Sequence, residues 1–415
     1  MRILICSFYF PPSGGGGVQR PLRFARQLPE FGIETHILTP GDSKWIHRDE
    51  PTTGIPERFI HRTRYIGPRG RLPAEELYGL NGVPRLLKKA ALTPRRFVLP
   101  DENAPWLLTA IPSLLRVVKS EGIDTVLTTS PPNSVHFLGP VAKRLAGVRW
   151  VADIRDSIVA SHERAVERLS VRAKEHTQQY VVRAIARHAD AISAVTEQIA
   201  AEMRSAGAGC PISVIPNGAD FDDFQTLEYR RTERFRITHT GSFFGKRDPR
   251  PFLTALAQVE DDVIACFVGD FRSADAKWMR DVGLGDRVEL EAFVPRRRAL
   301  ELQRHSDALL LLLPNVGDRG VDVPSGKIYE YLAARRPILA AVPPDGAAAR
   351  LVREAEAGIV SDPDDVDALR AALETLIRRW KAGELPDVSF QPEFEERISR
   401  SGRAAELADL LRGLR

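Results

Sequence analysis

The sequence predicts an α/β protein of two doubly wound, Rossmann-like domains facing a cleft. Three observations carry this. Short apolar stretches alternate with longer amphipathic ones along nearly all of the 415 residues, the pattern of βαβ units and parallel sheets. The alternation breaks at Ile215-Pro-Asn-Gly218 and then restarts. A chain of this length also exceeds what one core ordinarily serves.

In the first half, strands are expected at Ile3–Phe8, Glu34–Thr39, Thr125–Thr129, Trp150–Asp153 and Ala191–Ala194. Helices are expected between them at Gln19–Glu30, Trp106–Ser120, Ser134–Ala146 and Glu163–His188. Thr196 reads as the N-cap of a further helix to Ser205, with Glu197 in its first turn. Beyond the break come strand Arg236–Thr240, helix Arg250–Ala257, strand Ala265–Val268, helix Ala274–Val282 and strand Val288–Leu290. Helix Arg296–His305, strand Leu309–Leu313, a helix opening at Ser325-Gly-Lys327 and strand Pro337–Val342 follow. Helices Ala347–Glu354 and Val366–Ala382 and a terminal helix pair, Glu393–Leu414, complete the order. The expected boundaries are 1–215, 216–395 and 396–415. Within the first, residues 41–104 form an irregular, basic insertion.

Bulk chemistry narrows the function. With 43% hydrophobic and 27% charged residues and no low-complexity tract, the chain reads as soluble and globular. A net charge of +4 with a pI near 9.0 suits an anionic small ligand or an anionic membrane surface, not nucleic acid. Cys6, Cys210 and Cys266 are widely separated among apolar residues, which points to core packing and a reducing cytosol. No metal-ligand spacing occurs. Arg2–Phe10 is too short for a signal h-region and runs into Pro11-Pro12, so a first buried strand is expected. No apolar run approaches the roughly 18 residues of a membrane span.

The most informative motif is Val323-Pro-Ser-Gly-Lys-Ile-Tyr-Glu330, between two apolar strands. A helix N-terminus preceded by Ser325-Gly326, with Lys327 beside it, is a phosphate seat. Glu330, one turn further, is placed to accept hydrogen bonds from sugar hydroxyls, and Asp322 brackets the helix start from the other side. Phosphate and sugar together indicate a nucleotide or nucleotide-sugar. Thr240-Gly-Ser-Phe-Phe-Gly-Lys-Arg247 ends the second domain's first strand, where Gly241 permits close approach and Lys246 and Arg247 supply charge for a diphosphate.

Gly14-Gly-Gly-Gly17, after the first strand, has the anatomy of a phosphate or sugar cradle, or else of a flexible turn. It is no dinucleotide fingerprint: Arg20 stands where the last glycine belongs, and the second strand ends without an acid. His136 follows the strand Thr125–Thr129 and lies near the expected cleft, as a site residue or a satisfied helix residue. Asp153, Arg155 and Asp156 crowd the next strand's end, for binding or for an internal ion pair. Asp220-Phe-Asp222 spells D-x-D but follows a hinge, and reads as linker capping. Arg85–Arg96 is a basic amphipathic stretch, either solvated or an element that docks on a membrane surface.

Taken in order, several of these stretches make the chain resemble glycosyltransferase family 4, retaining enzymes of the GT-B fold, over nearly its full length. They are Pro11-Pro12 with the glycines, Pro100-Asp101…Trp106, Ser130-Pro-Pro-Asn-Ser-Val-His136 and Trp150–Asp156, followed by Pro216–Asp220, Gly241…Pro249 and Ser325–Ala334. It is most similar to the bacterial branch that builds cell-surface polysaccharides and glycolipids. The resemblance implies a nucleotide-diphosphate sugar on the second domain, commonly UDP- or GDP-linked, and a terminal helix crossing back to the first. Glu330 would hold the ribose, Asp322 would stand where a Glu contacts the donor sugar, and Arg247 would replace a Lys at the diphosphate. Gly15 and Gly16 would line donor or acceptor. Three departures accompany it: Ser242 for a frequent Arg, Arg155-Asp156 for a frequent His, and the shorter Asp322.

The expectation is therefore a cytosolic, metal-independent, cofactor-free retaining hexosyltransferase that serves a glycan or lipid-linked acceptor at the inner membrane face. His136 or Asp156 would position the acceptor for same-face attack. The rival readings are a nucleotide-sugar 2-epimerase on the same fold and a non-catalytic sugar-nucleotide-binding partner subunit.

Overall fold

The structure is a computed structural model and describes residues 1–41, 49, 53–67, 82–92, 95, 97–158, 169–243, 247–315 and 325–414. The chain divides into two compact units, residues 1–217 with 400–415 and residues 218–399.

Unit 1 runs β1 (Arg2–Ser7), α1 (Gly16–Gln27), β2 (Glu34–Pro40), β3 (Ile60–Thr63), α2 (Gly82–Leu92), α3 (Leu107–Glu121) and β4 (Thr125–Thr129). It continues α4 (Leu138–Ala146), β5 (Arg149–Ile154), α5 (Leu169–His188), β6 (Ala191–Ala194), α6 (Glu197–Ser205) and β7 (Ile212–Val214). Its seven parallel strands lie in the order β3-β2-β1-β4-β5-β6-β7. Both faces are covered, as a parallel sheet requires: Ile3 and Ile5 enter one core, Leu4 and Cys6 the other.

Unit 2 runs β8 (Phe235–Thr240), α7 (Arg250–Gln258), β9 (Val263–Val268), α8 (Ser273–Asp281), β10 (Val288–Glu291), α9 (Arg296–Arg304) and β11 (Ala308–Leu312). Then come α10 (Gly326–Ala333), β12 (Ile338–Ala341), α11 (Ala347–Glu354), β13 (Gly358–Ser361), α12 (Val366–Lys381) and α13 (Pro392–Ile398). Its six parallel strands lie in the order β10-β9-β8-β11-β12-β13. The all-apolar β11 again feeds both faces, Leu310 and Leu312 on one, Leu309 and Leu311 on the other. The last helix, α14 (Arg400–Arg412), returns to unit 1 and buries Ala404, Leu407, Ala408 and Leu411 in its core. Where the chain enters and leaves unit 2, Ala219 N donates to Ile398 O at 2.7 Å and Ala219 bridges Ser399.

The two alternating patterns are present, with local differences. Strands β3, β7 and β13 were not expected. The stretch Ser134–Ala146 is not one helix: Asn133–Phe137 is 3-10 and α4 starts at Leu138. Pro140 explains the break, since it has no N–H to give to the His136 carbonyl. Parts of the 41–104 segment, of Arg85–Arg96 and of the expected helix from Glu163 lie outside the described residues. Asp322, Lys246, Val323 and Pro324 also do.

Close packing makes one glycine in unit 1 sensitive. A Cβ on Gly139 would stand 1.9 Å from the Trp150 indole, which is fully buried. Gly139→Ala is expected to destabilise unit 1 by at least about 2 kcal/mol, read as a lower unfolding midpoint in calorimetry.

Candidate functional site

In open parallel sheets, ligands bind beyond the carboxyl ends of the strands, where the winding reverses. In unit 2 that point lies between β8 and β11. β8 pairs with β9 over six positions, but with β11 only at Ile237–Ala308 and Thr238–Leu309. Beyond Thr238 side chains take over. The fully buried His239 donates from Nδ1 to Leu310 O at 2.8 Å. The Thr240 amide donates to the Tyr331 hydroxyl at 2.9 Å, and Gln303 donates to Thr240 Oγ1 at 2.8 Å.

The chain then turns at Gly241 with φ +127°, where a Cβ would stand 2.1 Å from Lys327 Nζ. The lysine amine thus lies directly against the turn. Ser242 fixes its far side, its Oγ accepting from the Asp270 amide at 3.0 Å. Helix α10 supplies the lysine. Ser325 caps it, its Oγ accepting from the Lys327 amide at 3.4 Å, and Gly326 is its first residue. Ile328, Tyr329, Tyr331 and Leu332 anchor α10 in the core, and Lys327 and Glu330 lie three residues apart on the helix.

Charges here are strongly perturbed. Burial, and then the neighbouring Arg247, push the Lys327 ammonium down to about 7. Burial also lowers Arg247 itself. Glu330 Oε1 accepts from Arg296 Nη1 at 2.6 Å, and Arg296 Nη2 reaches Asp223 at 2.9 Å and Asp220 at 3.6 Å. Burial would lower this guanidinium, but Glu330, Asp223 and Asp220 outweigh it and raise it. Asp220 therefore does more than cap a linker. The structure brings together Gly241, Arg247, Ser325, Gly326, Lys327 and Glu330.

Unit 1 gathers a second set. Gly15 caps α1 at φ +98°, and open space surrounds the Cβ positions of Gly15 and Gly16. Arg155, just past the end of β5, donates to Gly17 O at 2.7 Å and to Gly16 O at 3.2 Å, so it holds the glycine loop. Burial, and then Arg20, push Arg155 down to about 10. Asp153 forms an internal ion pair with Arg20 at 2.7 Å, both buried, and accepts from Thr129 and Ser193. Burial would raise this carboxyl, but Arg20 and the two hydroxyls outweigh it and hold it low. Asp156 is exposed.

His136 is 1% exposed. Its Nδ1 lies 2.9 Å from Thr128 Oγ1, which also accepts from Trp150 Nε1 at 2.8 Å. Thr128 thus keeps His136 Nδ1 hydrogen-bonded, and Nε2 has no hydrogen-bond partner among the described residues. Burial keeps the ring neutral by pushing it down to about 4.

Sequence reasoning did not single out His239 or Arg296, and it noted Arg20 only as a missing glycine. For His239 a signal existed: Thr238-His-Thr-Gly241 places a histidine at the carboxyl end of a strand, two residues before a glycine turn.

Two family models match the chain: a glycosyl transferase 4-like domain over residues 15–218 and glycosyl transferases group 1 over residues 234–379. No curated protein matches it. Among solved structures, the chain is similar to sucrose-phosphate synthase from Thermosynechococcus elongatus, at 16% identity and TM-score 0.66, over 100% of this chain and 98% of that one. It is similar to Anabaena Alr3699/HepE in complex with UDP, at 16% identity and TM-score 0.64, over 100% of both chains. The lipopolysaccharide outer core galactosyltransferase WaaB gives 13% identity and TM-score 0.56, over 100% of this chain and 99% of that one.

The buried, neutral His136 has a pH consequence. The unfolded chain binds a proton at this residue near the ordinary value of 6.5, the folded one only near 4. Stability from His136 is therefore fully present above pH 6.5 and is lost as pH falls to about 4. His136→Gln is expected to flatten the fall in unit 1 stability over that window, measured by denaturant unfolding at a series of pH values.

Proposed function

The chain belongs to the family 4 glycosyltransferases of the GT-B fold, and from that premise we propose a retaining, metal-independent enzyme that moves a sugar, a hexose in the first instance, from a nucleotide-diphosphate donor. A UDP-sugar is the first donor to test, because a fold neighbour is described in complex with UDP and with UDP-glucose. The acceptor is a sugar or a lipid-linked glycan of cell-surface polysaccharide or glycolipid synthesis.

The observation that carries this reading is the cationic turn of unit 2. Lys327 Nζ lies against Gly241, Arg247 is in electrostatic reach, and the start of α10 adds the positive end of a helix dipole. A diphosphate laid over this turn would meet two cations and a helix dipole. As the glycosidic bond breaks, negative charge gathers on the leaving diphosphate, where these groups stabilise it. The acceptor hydroxyl attacks from the face the diphosphate leaves, and its proton passes to a departing phosphate oxygen, so no protein base is consumed. Glu330, held at Oε1 by Arg296, takes the ribose hydroxyls. Asp322 is the candidate contact to the donor sugar, while Gly15, Gly16, His136 and Asp156 are the unit 1 candidates for positioning acceptor or donor.

A thermal-shift panel of UDP, GDP, ADP, CMP and dTDP tests the donor. One nucleoside diphosphate is expected to raise the melting temperature, unchanged by EDTA and diminished in Glu330→Ala. No rise with any of them overturns the reading. Donor consumption with no acceptor present would favour an epimerase, and tight donor binding without any turnover a binding subunit.

We also propose that the enzyme works at an anionic membrane surface on the cytoplasmic side. No described helix is long and apolar enough to cross a membrane. Of the eleven large hydrophobic side chains exposed among the described residues, seven fall between positions 66 and 108. In α2, Val83, Leu86 and Leu87 stand 66–69% exposed at helical spacing, interleaved with Arg85, Lys88 and Lys89. Sedimentation with phosphatidylglycerol vesicles is expected, with little binding to phosphatidylcholine. Reversing Arg85, Lys88 and Lys89 to Glu should weaken it by about tenfold or more; unchanged binding would sink the membrane proposal.

A further inference from the structure

The proposed donor site leaves one buried group unexplained. His239 is fully buried in β8 against Phe243 and Phe267, with ring centroids 5.0 and 6.1 Å away. Its Nδ1 faces the Leu310 carbonyl at 2.8 Å. A carbonyl only accepts, so Nδ1 carries the proton, and in the neutral ring Nε2 keeps its lone pair. That lone pair faces Lys327 Nζ at 3.3 Å. The tautomer is therefore set by β11, and the ring presents an acceptor to the Lys327 amine that lies against the Gly241 turn.

We propose that His239 is a positioning residue: it holds the Lys327 amine inward against Gly241 as a hydrogen-bond donor, and so makes binding of a nucleotide-sugar diphosphate there draw a proton from solvent onto Lys327. This rests on the donor reading above and specifies how that site is set.

The surrounding charges agree. Among the described residues, the titratable groups about the amine are His239 on β8, Arg247 beyond the turn and Glu330 one turn along α10, itself held by Arg296. Arg247 disfavours the ammonium and Glu330 favours it, with burial the largest influence. His239 is held well below its ordinary value by burial, then by Lys327, so it does not compete for the proton. With the amine near 7, the empty site holds it part neutral at physiological pH. An arriving diphosphate supplies the missing opposite charge and completes its protonation. Released to solvent, the same amine would be charged at all times near neutral pH and would bind with no proton uptake.

Calorimetric titration of the full chain with UDP-glucose, in buffers of different ionisation enthalpy, tests this. A nucleotide-sugar has no phosphate that titrates near neutrality, whereas a terminal phosphate does at about 6. Wild type is expected to take up about half a proton at pH 7, with affinity falling nearly tenfold per pH unit above it. His239→Phe should lose that uptake and bind about tenfold more weakly, while His239→Gln, whose carbonyl oxygen can accept from the amine, should restore both. His239→Leu repeats the test should the phenylalanine variant fail to fold. If a folded apolar variant keeps wild-type uptake and affinity, or if wild type binds with no uptake, the inference is overturned and the donor reading stands. If wild type binds neither UDP-glucose nor any nucleoside diphosphate at any pH, the donor reading falls and takes the inference with it.

Discussion

The site in unit 2 depends on β8 parting from β11 after Thr238 and Leu309. A parallel ladder that ends early leaves strong donors and acceptors facing a gap, and each must find a partner. Here the partners are side chains: the imidazole of His239 donates to the Leu310 carbonyl, and the phenol of Tyr331 accepts from the Thr240 amide. Because Tyr331 belongs to α10, the hydrogen bond that satisfies β8 also locks the helix bearing Lys327 and Glu330. Strand pairing, helix placement and the electrostatics of the site are one constraint.

Unit 1 solves a related problem with charge. The ends of β4, β5 and β6 converge on Asp153, which accepts from Thr129 and Ser193 and pairs with Arg20 of α1. Arg20 also donates to Pro216 O at 2.9 Å, beside the junction of the units. A buried pair like this adds little net stability, but removing either partner is costly. Its effect is to hold α1, and with it the glycine loop, in one position relative to three strands. Arg155 then braces that loop through the carbonyls of Gly16 and Gly17.

How far this was legible in the sequence follows from the kind of interaction. The Ser325-Gly-Lys327…Glu330 helix start is local, written in cap, turn and spacing, and the structure assembles it as read. Interior strands such as β9, β11 and β12 are apolar runs and were readable. The unexpected β3, β7 and β13 are all edge strands of three or four residues. Half of their surface meets something other than a neighbouring strand, so no apolar run marks them. His239, Arg296 and Arg20 act through partners 88, 34 and 133 positions away, a proximity that only the topology creates. The polar end of β5 was ambiguous for the same reason: whether Asp153 served a ligand or an ion pair depended on where Arg20 arrived.

The chain leaves unit 1 at Asn217, builds all of unit 2, and comes back at Arg400 beside its point of departure, where Ala219 and Ser399 pair. Unit 2 is thus an unbroken stretch of sequence with neighbouring ends, whereas unit 1 is discontinuous and its core waits for Leu407 and Leu411. On the ribosome the order of completion is inverted: the later-encoded unit can close first, while the earlier one stays unfinished until α14 emerges. During that interval the apolar face meant for α14 is open, so unit 1 is the part of this protein most exposed to chaperones and to aggregation while it is being made.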